Sequence, residues 1–71
     1  MTTNKFKKLF DDCPGAWYGT SLDNGGSIVI NPKYTAPAIS YLKRHRVTIT
    51  DTAIHQLGEG NPGLRIVFED N

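Results

Sequence analysis

Ala16-Trp17-Tyr18-Gly19-Thr20-Ser21-Leu22-Asp23-Asn24-Gly25-Gly26-Ser27-Ile28-Val29-Ile30 is the stretch on which the fold turns. Residues 16–22 are rich in aromatic and β-branched types, and 27–30 close on a run of aliphatics. Between them, Asn24-Gly25 is the dipeptide that supplies the positive φ angles of a two-residue type I′ turn. The stretch therefore predicts a β-hairpin within 15–31, its arms 16–22 and 26–30 antiparallel, with Asn24 and Gly25 at positive φ. Trp17 and Tyr18 are neighbours on one strand, so alternation sends them to opposite faces. Trp17 is expected in the core and Tyr18 partly exposed.

Toward the N-terminus, Phe6, Leu9, Phe10 and Cys13 fall at i, i+3, i+4 and i+7, one face of a helix over about 3–13. Thr3 or Asn4 can cap its start. Cys13-Pro14-Gly15 ends it, because the residue before a proline is driven out of the α region. Toward the C-terminus, Asn31-Pro32 breaks the hairpin strand. Thr35-Ala36-Pro37 then opens a helix over about 36–45, with Thr35 as its cap and proline in the tolerant first turn. Ala38, Ile39, Tyr41 and Leu42 form its inner face. Residues 46–50 alternate as a strand with Val47 and Ile49 inward.

Residues 51–57 read two ways. Asp51 can cap a short helical turn ended by Gly58, with Ala53, Ile54 and Leu57 inward; otherwise the strand runs on through Ile54. The helical turn is the preferred reading. Gly58-Glu59-Gly60-Asn61-Pro62-Gly63 is a loop of the hairpin or wing kind, and 64–69 is the last strand, with Leu64, Ile66 and Phe68 on one face. The fold class is α+β: one domain over 1–71, a mainly antiparallel sheet and two helices on one of its faces.

Seventy-one residues sit near the lower limit for a self-sufficient core. Cys13 is the single cysteine, so no disulfide closes within the chain, and a reducing, cytoplasmic setting is expected. One Cys with His45 and His55 lacks metal-ligand spacing, so no metal and no cofactor are expected. No apolar run approaches membrane-spanning length, and Met1-Thr-Thr-Asn-Lys-Phe-Lys-Lys carries no signal-peptide core. Cys13 with a histidine is the lone candidate catalytic pair. Its place on the apolar stripe makes it a small buried hydrophobe instead, so no catalytic residue is assigned and the chain is read as a non-enzyme. The glycine loop leads into a strand rather than a helix N-terminus, so no phosphate-cradle motif is present.

Charge is near balance at +1, but its distribution is uneven. Residues 33–46 hold Lys33, Lys43, Arg44 and Arg46 and no acid, while 47–71 hold Asp51, Glu59, Glu69 and Asp70 against Arg65 alone. Lys33, Lys43, Arg44 and Arg46, with the exposed ring of Tyr18, are the candidate partner-binding residues. The plain alternative is a solvated helix end, since cations there suit the helix dipole. The functional expectation is a small module acting by stoichiometric docking on a protein partner, as inhibitor or adaptor. Its size and lack of motifs fit a phage or mobile-element type. The alternative is a nucleic-acid-binding regulatory protein using the segment 33–46. An edge strand at 15–22 or 64–69 could pair across a two-fold axis, which admits a homodimer.

Overall fold

A computed structural model of the chain describes residues 1–56, 58 and 60–71. The order is α1 (Thr3–Asp11), β1 (Ala16–Leu22), β2 (Gly25–Ile30), a 3-10 turn at Pro32–Tyr34, α2 (Thr35–Arg44), β3 (Val47–Gln56) and β4 (Pro62–Asp70). The four strands form one antiparallel sheet in the order β1-β2-β4-β3. Both helices lie on one face of it, so the α+β class and the two-helix, mainly antiparallel design hold.

The core forms between helices and sheet. Phe6 and Leu9 of α1, Cys13 behind it, and Ala38, Tyr41 and Leu42 of α2 close over Ile28, Ile30, Val47, Ile66 and Phe68. Phe6 is stacked between Phe10 and Phe68, with ring centroids 6.2 and 6.4 Å away. The Tyr41 hydroxyl donates to the carbonyl of Leu9 at 2.8 Å, which ties α2 to α1 across a buried contact.

α1 begins earlier than its apolar stripe implies. Thr2, not Thr3 or Asn4, is the cap, and its side chain accepts from Lys5 N–H. Thr35 lies inside α2 and not at its cap; its hydroxyl donates to Pro32 O at 2.6 Å, while Asn31 caps the preceding 3-10 turn.

The hairpin is present, but its turn differs from expectation. Leu22 pairs with Gly25, which leaves Asp23-Asn24 as the loop, and neither Asn24 nor Gly25 has a positive φ. The glycine serves a different need. A Cβ on Gly25 would run into the carbonyl of Phe68 and stand 2.7 Å from Glu69 Cα. The bare backbone lets the end of β2 press against β4.

Residues 51–56 are strand, not a helical turn. β3 continues to Gln56, paired with β4 from Val47↔Asp70 to Gln56↔Pro62, with a bulge between Ile49 and Asp51. The ladder to β4 gives 51–56 hydrogen-bond partners along one side, which an isolated helical turn would lack. Leu57, read as inward-facing, lies outside the described residues. Of the two strands offered as sheet edges, 15–22 is an edge, whereas 64–69 sits between β2 and β3 and has no free side. β3 is the other edge.

Candidate binding surfaces

Two surfaces bracket the sheet, and their chemistry differs. The first is the helical layer. Lys5, Lys7 and Lys8 lie on α1, Lys33 on the 3-10 turn, Lys43 and Arg44 in the last turn of α2, and Arg46 in the connection to β3; all are solvent-exposed. Of the eight Lys and Arg residues, Arg65 alone belongs to a strand. Among the described residues the one ion pair is Lys5 Nζ with Asp70 Oδ1, at 2.6 Å. That contact holds the Asp70 carboxyl below its ordinary range, chiefly through the hydrogen bond from Lys5.

The expected binding set is divided by this architecture. Lys33 precedes α2 and Lys43 ends it, so about ten residues of rise separate them by roughly 15 Å. Lys43, Arg44 and Arg46 cluster at one end. Lys5 and Lys8 approach that end from α1, across an open cleft of about 230 Å³ lined also by Leu9, Asp12, Tyr41 and His45. The lysines of α1 were missed as partners to this cluster because their convergence depends on helix packing. His45 is fixed there: Nδ1 lies 2.7 Å from Tyr41 O, and its ring sits 4.1 Å from the Tyr41 ring.

Arg46 has φ +60°, alone among the non-glycine residues described. It follows the C-cap His45, at the site where helices commonly place glycine in the left-handed region. An arginine there carries a backbone cost of about 1 kcal/mol. Its charge is held in place despite that cost.

The second surface is the sheet face that no helix covers. Register places Thr20, Ser27, Val67 and Asp51 on it in one row, Tyr18, Val29, Arg65 and Ala53 in the next, and Leu22, Gly25, Glu69 and Thr48 on the other side. Tyr18 thus faces away from the basic cluster, so the five expected binding residues do not form one site.

Trp17 is not in the core. A bulge between Ala16 and Tyr18 sets Trp17 and Tyr18 together against Val29, and a bulge suspends alternation. Both rings reach the open face, 42 % and 40 % exposed. A Cβ on Gly63 would meet Val29 Cγ1 at 2.6 Å and Trp17 Cζ3 at 3.2 Å, so the absence of a side chain there makes room for the cluster. The Tyr18 and His55 rings meet edge-on at 5.9 Å across the sheet, and Arg65 Nη2 donates to His55 Nδ1 at 3.2 Å. Beneath them Val29 is 1 % exposed although no helix covers it. Arg65 Nε is buried, without a hydrogen-bond acceptor among the described residues.

Among the described residues neither surface shows a nucleophile hydrogen-bonded to a base. Cys13 is buried, and burial pushes its thiol up to about 11. Its Sγ faces Pro14 O at 3.9 Å, and His55 lies on the opposite side of the sheet. Among the described residues no three His, Cys, Asp or Glu side chains gather as a metal would require. No helix among the described residues is long and apolar enough to cross a membrane.

Fold and surfaces together define a small two-layer α+β protein with a cationic helical layer and an open sheet face. No family model, no curated protein and no solved structure matches the chain.

Proposed function

We propose that the protein is a non-catalytic binding module that docks stoichiometrically, as inhibitor or adaptor, on an acidic face of a protein partner in a reducing cytoplasm. The observation that carries this reading is the cleft that brings Lys5 and Lys8 of α1 beside His45 at the end of α2, the residue that Lys43, Arg44 and Arg46 flank in the chain. The left-handed backbone of Arg46 supports it, because a charge kept at a strained position is better explained by use than by folding. The buried, protonated thiol of Cys13 supports the non-catalytic part.

A protein surface suits this layer better than a phosphate backbone. Asp12 lines the same cleft as Lys5, Lys8 and His45, so the cations do not form an unbroken track. One observation favours nucleic acid as a second reading: Asp51 and Glu69 lie on the far face of the sheet, where they repel nothing bound to the helices.

The test is a Lys43→Glu/Arg44→Glu variant, read by capture from native cytoplasm with nuclease in one arm. For an acidic protein partner, capture survives nuclease, and the variant slows association more than it speeds dissociation, because rim charges mainly steer encounter. For nucleic acid, capture is lost to nuclease, and the salt slope of binding falls by about one unit per phosphate contact removed. Binding unchanged in both arms refutes the helical layer as the docking surface.

A further inference from the structure

The open sheet face has a pattern of its own, independent of the helical layer. Its charges are divided along the strands: Arg65, against the His55 ring, toward one end, Glu69 with Asp23 in the adjoining turn toward the other, and Asp51 between them at the β3 edge. Its large apolar groups are divided likewise, with Trp17 and Tyr18 at the Arg65 end and Leu22, 46 % exposed, at the Glu69 end. Such a face is complementary to itself when one copy is reversed end to end.

We propose that this face is the interface of a homodimer, in which a second copy of the chain lies back to back on the first, related by a two-fold axis that crosses the strands. With the axis at the row Thr20, Ser27, Val67, each β4 opposes the other β4 in reverse. Arg65 of one copy then faces Glu69 of its partner, and Tyr18 of one faces Leu22 of its partner, each contact occurring twice, as an isologous interface demands. The opposing Glu69 brings a carboxylate to a guanidinium whose Nη2 rests on His55 and which has no carboxylate partner among the described residues. Asp51 lies in the axial row on the edge strand β3, at the exposed rim, where it faces the partner's Asp51; that like-charge contact opposes association and keeps it weak.

Size agrees with a reversible association. Four strands about 4.8 Å apart and about 25 Å long give roughly 500 Å² per copy, or roughly 1,000 Å² in total. That is the lower end of specific interfaces, so the dimer dissociates on dilution. The product is a four-layer helix-sheet-sheet-helix body with both cationic layers outward.

Sedimentation equilibrium of the intact chain across a concentration series reads this directly. Dimer mass at high concentration, falling with dilution and with added salt, is expected. Arg65→Glu and Glu69→Arg should each weaken association about tenfold or more, and the double variant should recover most of it. Leu22→Lys alters an exposed side chain outside the core and should also weaken it, so the test survives if a charge variant fails to fold. Trp17, the single tryptophan, should lose access to a soluble quencher as the dimer forms. A monomer at every concentration overturns the proposal, as does a folded double variant that recovers nothing, or a Leu22→Lys chain that dimerises like the parent. Lys43→Glu/Arg44→Glu lies on the opposite layer and should leave the mass series unchanged, which separates this proposal from the docking reading.

Discussion

At the scale of single residues, Arg46 and Cys13 show how a local cost or benefit becomes measurable. Replacing Arg46 with glycine removes the left-handed strain and should raise stability by about 0.5–1 kcal/mol in a denaturant titration. If the charge serves a partner, the same variant should bind less tightly while being more stable. Cys13 gives a pH signature. Its thiol ionises near 9.0 when unfolded and about 11 when folded. The contribution to stability is therefore complete below pH 9.0 and is lost as pH rises through about 11. Cys13→Ala should remove that part of the alkaline decline. At neutral pH it should cost about 1 kcal/mol for the small cavity and leave binding intact. Tyr41, also raised, first by burial and then by Asp12, adds a decline of the same sign above its ordinary value of 10.0.

At the scale of elements, position in the sheet outweighs residue type. Ile66 is fully buried on the central strand β4, while Ile54, on the same face of edge strand β3, is 71 % exposed because neither helix reaches that far. Ile66→Ala should cost about 2–5 kcal/mol in denaturant unfolding, and Ile54→Thr within about 0.5 kcal/mol. This contrast also marks what the sequence could disclose. The stripe Phe6, Leu9, Phe10, Cys13 and the two hairpin arms were legible, because their signals are local and periodic. The extension of β3 through 51–56 was not: Asp51 and Gly58 imitate helix caps, and the ladder that overrules them joins residues such as Thr52 and Ile66, far apart in sequence. Gly25 misled for the same reason, its purpose being contact with Phe68. Of the candidate sites, the cationic end of α2 and the exposure of Tyr18 could be read directly. Trp17 could not, because one inserted residue in the pairing of β1 with β2 undoes the alternation rule, and Arg65 and His55 meet only once β3 and β4 have paired.

At the scale of the whole molecule, the sheet separates two electrostatic regimes. The helices carry most of the positive charge, and the open face carries Asp51 and Glu69 against Arg65. Bulk charge of +1 conceals this polarity, and for that reason composition alone could not choose between partners. Strand order has a different consequence, one of time. β2 and β3 do not pair with each other; each pairs with β4, which is made after both. On a ribosome, the hairpin β1-β2 and the strand β3 must wait with their ladder edges open until residues 62–70 have emerged. Folding therefore comes as a late, single closure around the last strand. A nascent chain arrested before β4 clears the exit tunnel should be open to protease throughout, and one arrested after it should be resistant.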